Sequence, residues 1–154
     1  MSVSSRDQTA LDRLLELAVV ISEDMSASLT AMGLTGARTR VLWELQRNGP
    51  MTQRQLAEAL DVTPRNVTGL IDALVETGFV TREPHPKDRR ATLVTFTDKG
   101  AATAADLERG HEEFAHLLFA DLPDDTVAGF VGGIDLVLNR LYEHGTVRTE
   151  EFSA

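Results

Sequence analysis

Two short groups of polar and basic side chains have the residue types that recognise DNA. Arg65, Asn66 and Thr68 follow a Thr-Pro pair typical of a helix start, so we expect them near the N-terminus of a helix. Arginine pairs with guanine, asparagine pairs with adenine, and a threonine methyl group packs on thymine. A plain solvated helix surface is the alternative, because arginine and asparagine are common there. Thr63, the expected N-cap, is counted with these candidates.

Gln53 and Arg54 begin the preceding short helix and are candidates for contacts with phosphate. The free N–H groups of a helix N-terminus and these side chains suit phosphate oxygens, which fix the register of a protein on DNA without reading its sequence. An ordinary capping turn explains Gln53 about equally well, because Thr52 and Gln55 have the spacing of a capping box.

The second group comprises Lys87, Asp88, Arg89 and Arg90, in a polar loop between two strand-like segments. The narrow minor groove of A·T-rich DNA concentrates negative potential and attracts arginine. Asp88 lies two residues before Arg90, and we expect its carboxylate to orient the guanidinium through a bidentate pair. A solvated charge run is the alternative, but two prolines that stiffen the loop favour DNA contact. His85, between the prolines, is a candidate for contact with phosphate.

Helices must position the first group. Apolar residues recur at three- or four-residue steps in a long helix that ends near Gly33 and in a second helix from Thr35. A short helix follows Thr52, and after a tight turn another helix runs from Pro64 to Gly78. The last two segments have the spacing of a helix-turn-helix.

A hairpin must position the second group, because the apolar period changes from 3.6 to 2 after Gly78. Segments 79–82 and 91–97 are rich in β-branched and aromatic residues and are predicted to be strands. Two further helices begin at Thr97 and Pro123. The sequence therefore predicts a mainly α protein with a small β-hairpin, which is a winged helix-turn-helix with flanking helices. The flanking helices have apolar stripes wider than one small domain needs.

The composition excludes several other classes of protein. Hydrophobic residues make up 42% and charged residues 25% of the 154, which is typical of a folded globular chain. The absence of cysteine excludes disulfides, thiolate zinc sites and a cysteine nucleophile. The longest uncharged run, Met25 to Ala37, is 13 residues, too short to span a bilayer. No signal segment follows Met1, so we expect a cytoplasmic protein.

The net charge of −9 conflicts with DNA binding until its distribution is considered. Residues 38–99 contain ten Lys/Arg and eight Asp/Glu, whereas the two flanks contain five and 16. The predicted winged helix-turn-helix is therefore net positive, and the flanking helices are strongly acidic.

Neither a metal site nor a catalytic site is predicted. His111 and His116 are five residues apart, which places their rings about 140° apart on a helix, so they do not share an ion as an H-E-x-x-H pair does. The chain has no G-x-S-x-G motif and no phosphate-binding glycine loop. We therefore expect no enzyme and no cofactor.

A further pattern lies in residues 52–60 (TQRQLAEAL), 62–68 (VTPRNVT) and 88–97 (DRRATLVTFT), the last leading into Thr97-x-x-Gly100. In these stretches, and in the order of elements over nearly the whole chain, the sequence closely resembles the MarR family of bacterial transcriptional regulators. Position 69 is glycine where the family often has arginine, so one side-chain contact with DNA is absent.

The resemblance implies a homodimer on a palindromic operator, with the recognition helix in the major groove and the wing in the minor groove. It assigns insertion into the minor groove to Arg90 and an orienting role to Asp88. It also implies three regions: an N-terminal dimerisation helix (1–34), the DNA-binding domain (35–99) and C-terminal dimerisation helices (100–154).

Many members of the family respond to a small, often aromatic, anionic ligand. Met25, Met32, Trp43 and Phe114 are candidates for such an effector pocket, although methionine and aromatic residues at helical spacing are more often plain core. We expect a dimeric regulator, most simply a repressor, that an effector releases from DNA. The alternative is a winged-helix module that binds protein instead of nucleic acid, which the acidic ends allow.

Overall fold

The computed structural model describes residues 5–144, which form six helices and a three-stranded sheet. Residues 1–4 and 145–154 lie outside it, together with the corresponding ends of the predicted dimerisation regions. The predicted fold class, a mainly α winged helix-turn-helix, is confirmed. In chain order the elements are α1 (Ser5–Ala31), α2 (Gly36–Asn48), β1 (Met51–Thr52), α3 (Gln53–Leu60), α4 (Pro64–Glu76), β2 (Val80–Pro84), β3 (Thr92–Phe96), α5 (Asp98–Phe119) and α6 (Asp124–Glu143).

None of the described helices is by itself long and apolar enough to cross a membrane. α1 and α2, bent by 75° at their junction, satisfy the length and composition criteria only as a pair.

Threonine side chains fix the starts of four helices. Thr35, Thr52, Thr63 and Thr97 each accept a hydrogen bond from the backbone N–H three residues later. Gln55 completes a capping box, because its side chain accepts the backbone N–H of Thr52. These bonds satisfy N–H groups that have no partner inside a helix, so the local sequence sets where α3 and α4 begin.

The turn between α3 and α4 depends on one residue in the left-handed region. Asp61 has φ 54° and ψ 46°, a conformation that aspartate adopts more readily than most residues. The backbone N–H of Val62 donates to the carbonyl of Ala57 at 3.1 Å, which ends α3. Only residues 61–63 separate the end of α3 at Leu60 from the start of α4 at Pro64.

The wing is part of a three-stranded antiparallel sheet with the strand order β1-β3-β2. β2 and β3 pair along their whole lengths, with Val80 opposite Phe96. β1 adds Met51 opposite Val94 on the other edge of β3. The sequence predicts the hairpin but not β1, because a strand of two residues contains no alternating pattern.

One apolar core lies under α2, α3, α4 and the sheet. Burial of each large apolar side chain contributes about 1.5–3 kcal/mol, so this core holds the helix-turn-helix and the hairpin together as one lobe, the DNA-binding lobe. Its largest fully buried side chains are Phe79, Leu42, Leu56, Ile71, Leu74, Val41, Val67, Val80 and Val94.

The helices outside this lobe do not complete a core of their own in one chain. Neither α1 nor α6 contains a buried residue. Among the described residues, 17 of the 18 exposed large apolar side chains lie in α1, at the end of α5, in the α5–α6 turn or in α6. Monomeric soluble proteins rarely expose apolar surface on this scale, so these helices require a second surface to cover them.

The start of α5 approaches the sheet closely at Gly100. A Cβ atom at this position would lie 1.8 Å from the carbonyl oxygen of Phe79 and 3.0 Å from Cδ1 of Phe96. Thr97 draws the helix start inward, because its hydroxyl donates to the carbonyl of Gly78 at 2.6 Å and accepts the N–H of Gly100 at 3.0 Å. The Thr-x-x-Gly pattern therefore marks a close approach of helix to strand that only glycine permits.

We expect Gly100→Ala to lower the free energy of unfolding by about 3 kcal/mol, because the methyl group overlaps the Phe79 carbonyl unless α5 moves. Gly110→Ala in the same helix is the matched control. No atom lies within 4 Å of a Cβ there, and the change should raise stability by about 0.5–1 kcal/mol. Thermal unfolding measures both, and equal midpoints for the two variants would contradict the close approach.

Candidate nucleic-acid interface

The N-terminal half of α4 presents a polar surface to solvent. Burial of the inner side of the helix fixes its rotation about its own axis, so the outward side chains project together. A Cβ atom at position 69 would have no neighbour within 4 Å, so this surface is open. It contains the exposed residues predicted from the sequence, Arg65, Asn66, Thr68 and Gly69.

Two threonines on this surface already have hydrogen-bond partners. The hydroxyl of Thr63 accepts the backbone N–H of Asn66 at 3.2 Å and so acts first as a helix cap. The hydroxyl of Thr68 donates to the carbonyl of Pro64 at 2.9 Å and accepts from the Gln53 amide at 3.1 Å. The methyl group of Thr68 is therefore the part of its side chain left to meet a base.

Arg82 joins three elements of the lobe. Its Nε donates to Oε1 of Gln53 at 3.0 Å, and its Nη2 donates to Oδ1 of Asp72 at 2.5 Å. Because Gln53 also bonds Thr68, a single chain of side-chain hydrogen bonds links α3, α4 and β2. A contact from Gln53 to phosphate would have to share its amide with this chain. Sequence reasoning misses Arg82 and Asp72, since no local spacing connects a strand residue with a helix residue ten positions earlier.

Arg54 lies at the start of α3 with 89% of its side chain exposed. Its Nε donates to Oε1 of Glu58 at 3.1 Å, one turn later. Surface pairs of this kind contribute a few tenths of a kcal/mol, so the guanidinium can exchange Glu58 for a phosphate at little cost.

Arg40 of α2 also lies beside α4, and no pattern in the sequence predicts this position. Arg40 of α2 is half-buried, and its Nη2 donates to the carbonyl of Leu60 at 3.1 Å. It borders a cavity of about 380 Å³ that Arg65 and Asn66 also line. The positive surface around the first turn of α4 thus extends to α2.

The wing tip is a tight turn with two arginines at its centre. The backbone N–H of Ala91 donates to the carbonyl of Asp88 at 3.1 Å, which closes a β-turn with Arg89 and Arg90 as its central residues. Both arginines and the preceding Lys87 are exposed. The turn therefore projects three cationic side chains from the end of the hairpin.

The carboxylate of Asp88 does not have the predicted role. Its Oδ1 accepts the backbone N–H of Arg90 at 2.9 Å, and within residues 5–144 it forms no ion pair with the Arg90 guanidinium. The expected bidentate pair is wrong because, in a turn, an aspartate side chain bonds the peptide N–H two residues on, well before it meets the end of a long side chain. Asp88 shapes the turn and leaves the guanidinium available for a partner outside the chain.

The four residues predicted for an effector pocket have different surroundings within one chain. Met25 borders a groove of about 690 Å³ along α1 and the start of α2, but the other three are absent from its lining. Met32 packs against the core of the lobe. Trp43 packs edge-on against His111 of α5, with ring centroids 6.3 Å apart, and Phe114 is half-buried on α5.

No cluster of metal ligands is present among the described residues. Within residues 5–144 no three His, Asp or Glu side chains are arranged to hold a metal ion. His111 lies against Trp43, and His116 is exposed on the last turns of α5.

The chain is similar in sequence and in fold to bacterial transcriptional regulators. A sequence model described as the MarR family matches residues 34–92. MdtR of Bacillus subtilis, an HTH-type transcriptional repressor, is 32% identical over 101 residues, covering 64% of this chain and 65% of that protein. An uncharacterized HTH-type transcriptional regulator of Mycobacterium leprae is 33% identical over 102 residues, covering 66% of this chain and 71% of that protein. The crystal structure of wild-type MarR from Escherichia coli has a TM-score of 0.62 at 28% identity, over 83% of this chain and 96% of that chain.

The aligned part of this chain spans just under two thirds of MdtR, at 65%. Both sequence relatives are named as transcriptional regulators and neither is named as an enzyme. This agrees with the absence of catalytic motifs from the sequence.

We expect Asp88→Asn to preserve DNA affinity or raise it slightly, since the amide oxygen accepts the same backbone N–H while a negative charge leaves the wing. Asp88→Ala removes the acceptor and should lower affinity roughly threefold. A gel-shift titration with the DNA that precedes the chain's own gene measures both. A large loss with Asp88→Asn would instead support an ion pair with Arg90 and contradict the role given to Asp88.

Proposed function

This chain belongs to the MarR family, and from that premise we propose that it is a DNA-binding transcriptional regulator that acts as a homodimer on a palindromic operator. Each protomer places α4 in the major groove and the wing in the neighbouring minor groove. The observation that carries this placement of α4 and the wing is the pair of hydrogen bonds from Arg82 to Gln53 and Asp72, here called the Arg82 bridge, which links α4 to the base of the wing.

The first turns of α4 supply the contacts that read sequence. In this proposal Arg65 pairs with guanine, Asn66 pairs with adenine, and the methyl group of Thr68 packs on thymine. Contacts with the backbone fix the register of the lobe and carry no sequence information. They are assigned to Gln53, Arg54 and Thr63.

The wing supplies the contact in the minor groove. Arg90 enters the groove, where a narrow A·T-rich segment gives the strongest negative potential. Lys87 and Arg89 are placed at the flanking phosphates, and Asp88 maintains the turn. Their exposure and the absence of an ion pair between Asp88 and the Arg90 guanidinium in the described residues support these assignments.

The apolar helices outside the lobe form the dimer interface in this proposal. We assign residues 1–34 and 100–154 to the dimer interface and residues 35–99 to DNA binding. The exposed apolar side chains of α1 and α6 support this division, because a second copy of the chain offers a matching apolar surface to pack against them. Two lobes held in this way bind half-sites about one helical turn (~34 Å) apart.

The direction of control and its regulation extend the same proposal. We assign repression, in line with the name of the relative MdtR. An effector that binds the α1 groove beside Met25 releases DNA by favouring a dimer with a different lobe spacing. A small molecule with an apolar body and a few hydrogen-bonding groups matches this groove, which leucine and methionine side chains line together with serine and threonine.

We expect Arg90→Ala to weaken binding to the DNA that precedes the chain's own gene by roughly tenfold or more per dimer. The slope of log K against log salt concentration should fall in magnitude by about 2, one charge for each wing. Arg109→Ala removes the same charge from α5 and should change neither quantity. Failure of the wild-type protein to bind any such fragment at low salt would favour the alternative, a winged-helix module that binds protein.

We expect Val131→Asp in α6 to convert the dimer to a monomer, because it places a charge in the proposed apolar interface. DNA affinity should fall by roughly 100-fold or more, since the two lobes no longer bind as one unit. Val75→Asp is the matched control, an exposed valine on α4 outside these helices, and should leave the dimer intact. Sedimentation velocity separates the two, and a wild-type monomer at micromolar concentration would contradict the proposal.

A further inference from the structure

His85 lies at the base of the wing turn, and its ring is part of the hydrogen bonding of the loop. Its Nδ1 accepts the backbone N–H groups of Lys87 and Asp88, each at 3.1 Å. Its own backbone N–H donates to the carbonyl of Ala91 at 3.1 Å, which closes the loop. The half-buried side chain is thus turned inward beneath the loop.

These two bonds give the two ring nitrogens different roles. A nitrogen that accepts hydrogen bonds carries no hydrogen, so in this arrangement Nδ1 is the acceptor and Nε2 is the nitrogen left to donate. No other side chain in the described loop accepts the N–H groups of Lys87 and Asp88. Without the ring they can bond only water, and the loop loses a constraint on its first half.

His85 and Asp88 each hold one half of the loop through hydrogen bonds from its backbone. The ring of His85 fixes the chain as it enters the turn, and the carboxylate of Asp88 fixes the two central arginines through the N–H of Arg90. Pro84 and Pro86 restrict the backbone on either side of His85, since proline fixes φ and limits the residue before it. The direction of Arg89 and Arg90 therefore depends on both halves.

We propose that His85 is a positioning residue, whose Nδ1 orders the wing turn before DNA is bound and thereby aims Arg89 and Arg90. This inference rests on the proposed function only in its consequence for DNA affinity. The ordering of the turn is a property of the free protein. The alternative is a direct contact in which Nε2–H donates to a phosphate.

Two substitutions distinguish the contribution of Nδ1 from that of Nε2. In His85→Asn the amide oxygen takes the place of Nδ1, so the two backbone N–H groups keep an acceptor. In His85→Gln the amide nitrogen reaches the place of Nε2, so a donor to phosphate is kept and the acceptor is lost. His85→Ala removes both groups. The substitutions alter one exposed loop outside the core, so each variant is expected to fold.

Limited trypsin digestion of the DNA-free protein tests the ordering directly, because Lys87, Arg89 and Arg90 are cleavage sites in this turn. Each lost hydrogen bond allows more frequent opening of the loop, so His85→Ala and His85→Gln should be cut there roughly threefold to tenfold faster. His85→Asn should be cut at the wild-type rate. Wild-type rates for His85→Ala, or fast cutting of His85→Asn, would overturn the proposal.

Gel-shift titration of the same variants tests the consequence. His85→Ala and His85→Gln should bind DNA roughly threefold to tenfold more weakly, while His85→Asn keeps wild-type affinity. Normal binding by His85→Gln with weak binding by His85→Asn would overturn positioning in favour of a direct contact through Nε2. If the wild-type protein itself binds no DNA, the proposed function fails, and the digestion pattern still decides whether His85 orders the turn.

Discussion

The burial of one side of α4 is the constraint on which the rest of the DNA-binding lobe depends. Val67, Ile71 and Leu74 are all but inaccessible to solvent, so the helix cannot rotate without exposing them. That single restriction decides which residues project outward. The Arg82 bridge then ties the wing to the same helix. An exposed ion pair of this kind contributes little to stability, and its importance lies in the relative placement of two elements that the core already holds.

The chain combines a lobe that has a buried core with two outer helices, α1 and α6, that contain no buried residue. The lobe has a continuous core and a net positive segment, whereas the flanking helices are acidic and leave their apolar sides uncovered. Pairing of the flanking helices with a second copy would cover their apolar sides. It would also direct their acidic residues away from DNA. The unfavourable net charge of −9 is then a property of the flanks and not of the surface that meets phosphate.

Local signals were sufficient for most of the fold. The four threonine caps, the Thr-x-x-Gly start of α5 and the change of apolar period each act within a few residues, and the structure has all of them. The features that the sequence does not predict arise from contacts between elements. β1 is too short to show a period, and Arg82 and Arg40 bond partners 10 to 29 positions away in the chain. The bidentate pair predicted between Asp88 and Arg90 is wrong because the carboxylate of Asp88 bonds the nearer backbone N–H of Arg90.

The absence of cysteine permits one direct test of the central claim, that α4 and the wing of each protomer lie in adjacent grooves of one operator. Gly69→Cys and Lys87→Cys each introduce a single thiol, to which an iron chelate that cleaves DNA by hydroxyl radicals can be attached. We expect two symmetric clusters of cuts from each tag, with the α4 clusters in successive major grooves about one helical turn (~34 Å) apart and the wing clusters in the neighbouring minor grooves. Unpaired cuts, or cuts spread evenly along the fragment from both tags, would contradict it.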